Sequence, residues 1–227
     1  MRILCIESVL PSISQAVASL EKYSMIVDKV YSIQEVLELA RTYDYDLIML
    51  SPSNDFKLCS QIVKKIRYTG LDVPLLILEQ QTDIREKLAC FENGADDYLI
   101  CPFDHRELIA RIYAIVRRFK GHSDSVIRVS DFEINFNTKN VTVGGKKLSL
   151  TAKEYALVEL LALRKGTILH KEQFLNHLYG GIDEPEIKII DVFLCKIRRK
   201  IKKLSGGKQY IRTVWGRGYV LKEEESN

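Results

Sequence analysis

Seven basic side chains, Lys188, Lys196, Arg198, Arg199, Lys200, Lys202 and Lys203, fall within one short stretch that holds a single acid, Asp191. Cations at that density neutralise phosphates and donate hydrogen bonds to base edges, whereas a merely solvated helix face mixes both signs. Between them Ile187, Ile190, Leu194, Ile197, Ile201 and Leu204 recur at steps of three and four, which predicts one apolar stripe along a helix. The stripe must face a core, so Lys188, Asp191, Val192, Cys195, Lys196, Arg198, Arg199 and Lys202 project from it or flank it. Lys196 and Arg198 are the candidates for base edges, Arg199 and Lys202 for phosphates, and Val192 for thymine methyls. Pro185, behind Asp183 and Glu184, predicts the helix start. Beyond Gly206-Gly207, the β-type runs 210–214 and 218–221 flank Gly216-Arg217-Gly218, a turn that puts Arg217 at an exposed tip within reach of a minor groove. A basic amphipathic helix followed by a hairpin is the layout of a winged helix that reads double-stranded DNA.

A second set of candidates lies at strand ends. Apolar runs at 3–6, 26–30, 47–50, 73–78 and 98–100 alternate with helical spacing at 13–20, 34–40, 58–66, 84–91 and 107–119. That rhythm predicts a flavodoxin-like, doubly wound α/β domain whose working site lies at the carboxyl ends of its strands. The residues there are Glu7 and Ser8, Ser51, Glu79 and Cys101. A Gly-rich phosphate loop, a Cys-His or Ser-His pairing and neighbouring carboxylates are missing, so we expect no catalytic residue and no enzyme. His105, His122, His170 and His177 are isolated from other ligand types, and no metal or cofactor site is expected.

A chain of 227 residues has room for two modest cores. Residues 1–120 carry 15 basic against 17 acidic side chains and residues 121–227 carry 19 against 13, so the basic half holds the DNA candidate. The polar segment 120–125 is the expected linker between a domain at 1–119 and one at 126–227. In the second, β runs at 126–134, 140–143 and 146–150, with Gly144-Gly145 as a tight turn, predict a small antiparallel sheet. Thr151 and Glu154 form a capping-box pattern ahead of a helix with Leu157, Leu160, Leu161 and Leu163 on its apolar side, and a further helix is expected at 171–178. Cys5, Cys59, Cys90, Cys101 and Cys195 are odd in number without metal spacing, as in a reducing cytoplasm. No stretch approaches a membrane span, and a cytoplasmic protein without membrane association is expected.

The order of elements resembles the OmpR/PhoB class of response regulators. Thr151-Ala152-Lys153-Glu154-Tyr155, residues 174–181, Ile189-Ile190-Asp191-Val192-Phe193 and residues 213–221 are similar to its alphaproteobacterial cell-cycle regulators. The resemblance implies a sequence-specific transcription factor that acts as a dimer on paired AT-rich half-sites and works with RNA polymerase. It also implies a phosphate-accepting Asp where this chain has Ser51, an acidic Mg²⁺-binding pair where it has Glu7 and Ser8, a hydroxyl where it has Glu79 and a Lys where it has Cys101. Serine cannot form an acyl phosphate, one carboxylate is a poor magnesium site, and Glu79 puts a negative group where a phosphate would bind. A pseudo-receiver independent of aspartyl phosphorylation is therefore expected. Asp55 as a displaced acceptor, Cys101 as a thiol switch, and a partner or ligand in the old pocket are alternative inputs. In the resembled class the fourth helix, fifth strand and fifth helix pair across a two-fold axis, and Lys87, Asp96, Asp97, Glu107, Arg111 and Arg118 match that charged interface. Tyr98 resembles the aromatic that swings inward on activation and is expected to be fixed in one rotamer.

Overall fold

A computed structural model describes residues 1–6, 11–23, 25–51, 56–79, 83–181 and 184–222. The chain separates into two compact units, Met1–Phe119 and Lys120–Asn227.

The first unit alternates strand and helix: β1 (Arg2–Ile6), α1 (Pro11–Lys22), β2 (Ile26–Val30), α2 (Ile33–Thr42), β3 (Leu47–Leu50), α3 (Phe56–Tyr68), β4 (Leu75–Glu79), α4 (Ile84–Glu92), β5 (Asp97–Ile100) and α5 (His105–Phe119). The strands form one parallel sheet in the order β2-β1-β3-β4-β5, the flavodoxin-like winding expected from the alternation. Strands covered on both faces read as continuous apolar runs, and Leu47, Ile48, Met49, Leu75, Leu76, Ile77 and Leu78 are all fully buried. β4 starts at Leu75 rather than at residue 73. Pro74 has no amide to donate, and its carbonyl accepts from Ile48 before regular pairing begins.

The second unit opens with a four-stranded antiparallel sheet, β6 (Val126–Val129), β7 (Phe132–Asn135), β8 (Asn140–Val143) and β9 (Lys146–Lys147). The expected single strand at 126–134 is thus a hairpin. Its turn, Ser130-Asp131, lacks glycine, and Ser130 itself adopts the left-handed conformation at φ 55°. Of the run 146–150 only Lys146 and Lys147 form a strand, with the Leu148 amide adding one hydrogen bond to the Val141 carbonyl at 2.8 Å. Three helices follow, α6 (Ala152–Leu163), α7 (Lys171–Tyr179) and α8 (Ile189–Ser205), and then the hairpin β10 (Ile211–Val214) and β11 (Gly218–Leu221). The α6 capping box is formed: Thr151 Oγ1 accepts from Glu154 N, and Glu154 Oε2 accepts from Thr151 N at 2.8 Å.

The long helix does not start at Pro185. The amides of Ile189, Ile190 and Asp191 bond three residues back, to Glu186, Ile187 and Lys188, so a tight turn precedes α8 and Ile187 is only half-buried. Leu204 is likewise half-buried, and the inward stripe is Ile190, Leu194, Ile197 and Ile201.

Candidate nucleic-acid interface and strand-end pocket

The four isoleucine and leucine side chains that anchor α8 leave Lys188, Val192, Cys195, Lys196, Arg199, Lys202 and Lys203 exposed. Val192 is 45% exposed, an apolar side chain facing outward among cations. The remaining polar residues of the helix are engaged within the fold. Lys200 Nζ reaches Glu154 Oε2 at 2.6 Å and the carbonyl of Ser149 at 3.0 Å. Arg198 donates from Nε to the carbonyl of Ile211 and from Nη2 to Thr213 Oγ1, each at 2.9 Å, while its guanidinium lies 5.2 Å from the Tyr219 ring centroid. Asp191 accepts from Lys171 Nζ at 2.7 Å and from the Tyr219 hydroxyl. Burial pushes the Asp191 carboxyl up, but the hydrogen bonds from Lys171 and Tyr219 outweigh it and hold the group below its usual range. Arg198 and Asp191 thus brace the hairpin against the helix in the unbound protein.

That hairpin is fixed at its root. Leu169 and Tyr219 exchange both backbone hydrogen bonds, at 2.8 and 2.9 Å, and the Tyr219 ring meets Phe174 edge-on at 6.1 Å. Gly218 has φ +127°, and a Cβ there would come within 1.9 Å of the Leu169 carbonyl oxygen, so only glycine fits. The turn consists of Trp215, Gly216 and Arg217, all exposed, and Arg217 N donates to the Val214 carbonyl at 2.9 Å. Trp215 is 90% exposed and was not among the expected site residues. A large aromatic in a hairpin turn, with no alternating partner to pack on, is the signal that would have marked it. A cleft of about 520 Å³ runs between this tip and the start of α7, bordered by Lys171, Glu172, Asp191, Trp215 and Arg217.

In the first unit, Ser51 follows β3 and is 1% exposed, and Glu79 ends β4 at 5%. Cys101, just past β5, is buried, and its amide donates to the Glu79 carbonyl at 2.6 Å. Glu7, Ser8 and Asp55 lie outside the described residues. Glu79 Oε2 accepts a hydrogen bond from the Tyr98 hydroxyl, and Tyr98 is buried. Lys87 Nζ stands 5.2 Å from the Tyr98 ring centroid and the Phe91 ring 6.5 Å away. Burial raises the Glu79 carboxyl above its ordinary value, opposed by the Tyr98 hydrogen bond and reinforced by Glu86. Among the described residues no three His, Cys, Asp or Glu side chains are grouped to hold a metal ion. The thiols brought into one buried cluster are those of Cys59 on α3 and Cys90 on α4.

The charged residues expected at a dimer face also have partners in their own chain. Arg111 pairs with Asp97 at 2.9 Å and Glu107 at 2.8 Å, Asp96 with Arg67 at 2.8 Å, and Arg118 Nε donates to the Ala114 carbonyl at 3.2 Å. The sequence reading passed over the apolar residues beside them: Ile84 is 63% exposed and Leu88 53%, with Phe91 and Ile100 also outward.

Residues 145–221 match the family described as transcriptional regulatory protein, C terminal, and residues 3–113 match the response regulator receiver domain. Two curated relatives, the cell cycle response regulators CtrA of Brucella ovis and of Brucella abortus strain 2308, are each 50% identical over 193 residues, 85% of this chain and 83% of theirs. The solved structure of DrrB, an OmpR/PhoB homolog from Thermotoga maritima, is similar at 22% identity and a TM-score of 0.42, covering 97% of this chain and 98% of that one.

Proposed function

For a chain that belongs to the OmpR/PhoB-type response regulators and is a CtrA-like transcriptional regulator, we propose sequence-specific binding as a dimer to paired AT-rich half-sites, without aspartyl phosphorylation. The observation that carries the reading is the outward face of α8, where Val192, Cys195, Lys196 and Arg199 stand exposed opposite the buried stripe. A helix so held enters a major groove with its cations, thiol and apolar side chain toward base edges. Lys188, Lys202 and Lys203 flank that face and supply phosphate contacts, which set register rather than sequence. Arg198 and Asp191 act by positioning: they hold the hairpin, and Arg217 at its tip approaches the adjacent minor groove.

Phosphorylation independence follows from chemistry at the strand ends. Ser51 offers no carboxylate to phosphorylate, and Glu79 offers a buried acid where an incoming phosphate needs a donor. The Tyr98 hydroxyl already has Glu79 as its acceptor, so the inward aromatic needs no phosphate to hold it. Dimerisation then uses α4 and β5, where Ile84, Leu88, Phe91 and Ile100 leave apolar surface uncovered beside the Arg111 and Lys87 charges. The reading includes promoter DNA and RNA polymerase as partners and a cytoplasmic location, and similarity to cell cycle response regulators supports its regulatory role. No described helix is long and apolar enough to cross a membrane.

A second reading adds a thiol input to the same dimer. Cys59 and Cys90, buried in one core cluster, would be oxidised by hydrogen peroxide to a disulfide, with both thiol hydrogens leaving in two molecules of water. Intact mass after peroxide, with Cys90→Ser as control, decides for or against it. The main reading is tested by footprinting the full-length protein on promoter fragments at several salt concentrations. Protected, paired AT-rich half-sites are expected; salt-steep coverage without preference would mean an architectural binder instead.

A further inference from the structure

Trp215 is the one tryptophan of the chain, and its indole stands exposed. Tryptophan is among the most buried side chains on average, so an indole held 90% in water at the tip of a rigid hairpin is a contact surface awaiting a partner. The chemistry around it selects the partner. Arg217 lies two residues on in the same turn, and at the cleft Lys171 and Asp191 neutralise each other, which leaves Glu172 as its remaining acid. An aromatic beside an arginine, on a hairpin braced to the cationic helix α8, suits a polyanion with apolar walls, and a DNA minor groove, about 6 Å wide, offers both between its sugars. The tip cannot swing away freely, because Gly218, the Leu169–Tyr219 bridge and Arg198 tie its root to the domain that carries α8.

We propose that Trp215 is a specificity-determining residue: its indole enters the minor groove beside the helix-reading site and selects A·T over G·C pairs there. The ring lies edge-on along the groove, with the Nε1–H donating to adenine N3 or thymine O2. The guanine 2-amino group, which projects into the same groove and is itself a donor, both obstructs the ring and repels the N–H. This rests on the DNA-binding reading of the second unit and extends it to a side chain and a base-pair preference.

Base analogues isolate the claim. Inosine paired with cytosine keeps the major-groove face of G·C but lacks the 2-amino group. The full-length protein is titrated with duplexes in which the pairs flanking each half-site are walked one at a time through A·T, G·C and I·C. Anisotropy reports binding, and emission excited at the red edge, beyond tyrosine absorption, reports Trp215 alone. At one flanking position G·C is expected to weaken binding about tenfold, the scale of one mismatched pair. I·C should restore it to within about twofold. Emission should shift to the blue and acrylamide quenching fall on the A·T duplex. Trp215→Ala, a change at an exposed position, should bind all three duplexes alike. Trp215→Phe should keep the rejection of G·C, with weaker binding to A·T. Tight binding with unchanged emission, or the same discrimination in Trp215→Ala, overturns the proposal and leaves DNA binding standing, with the indole free for a protein partner. Absence of binding to any duplex overturns the DNA reading itself, and the proposal with it.

Discussion

Replacing Tyr98 with Phe removes one oxygen from a buried site and leaves the Glu79 carboxylate without the donor that satisfies it. A hydrogen bond to a charged group is worth about 1.5–3 kcal/mol, and a buried acceptor left unsatisfied pays its own desolvation, so Tyr98→Phe should destabilise the first unit by about 2–3 kcal/mol. The cost depends on the charge of its partner. In a Glu79→Gln background the acceptor is a neutral amide, and the same Tyr98→Phe change should cost about 1 kcal/mol or less, giving a coupling of about 1–2 kcal/mol. Urea unfolding of residues 1–119, followed by far-UV circular dichroism, measures all four corners of the cycle. The sign with pH is set by burial, which raises the folded-state pKa of Glu79 above its unfolded value. Stability from the protonated carboxyl is complete below the ordinary glutamate value of about 4.3 and is lost as pH rises through the higher folded value. Wild type should therefore lose stability relative to Glu79→Gln across that window. A Tyr98→Phe cost under about 0.5 kcal/mol with zero coupling would mean that the pair does not hold the aromatic inward.

Gly218→Ala should cost about 2–4 kcal/mol in thermal unfolding of the second unit, because a positive-φ position is strained and the Leu169 carbonyl must move. A change of less than 1 kcal/mol would show that the hairpin root is not rigid. Arg198→Ala should loosen that hairpin by about 1–2 kcal/mol and weaken binding to preferred and scrambled sites alike, whereas Lys196→Ala should relax preference at one base pair. Equal losses on both sites for Lys196→Ala would reassign the reading face. Leu88→Glu, at an exposed apolar position on α4, should leave residues 1–119 folded and shift them toward monomer in sedimentation at tens of micromolar; an unchanged distribution would place the dimer contact elsewhere.

The doubly wound sheet was legible because its inner strands β3 and β4 are buried on both faces and read as unbroken apolar runs, while the edge strand β2 keeps Ile26, Val27 and Val30 around Asp28 and Lys29; residues 26–30 and 47–50 coincide with β2 and β3. The start of α6 was legible for a local reason too, since Thr151 and Glu154 are three residues apart. What escaped depended on distant partners or on unusual backbone. The Ser130-Asp131 turn uses a serine at positive φ where glycine is the usual marker. Pro185 suggested a helix start, yet the regular helix waits for Ile189. Arg198 and Asp191 sit on the polar face in sequence, and only the fold brings Ile211, Thr213 and Tyr219 to them. The link between Glu79 and Tyr98 joins residues of neighbouring strands 19 positions apart, so composition and periodicity carry no trace of it.

The central claim is that this regulator binds its sites without an aspartyl phosphate. The most direct measurement is the affinity of the full-length protein for a paired AT-rich half-site duplex, before and after incubation with acetyl phosphate and Mg²⁺, with intact mass taken on the same samples. Unchanged affinity and unchanged mass are expected. A stoichiometric, base-labile phosphate accompanied by tenfold tighter binding, about 1.4 kcal/mol, would contradict the account.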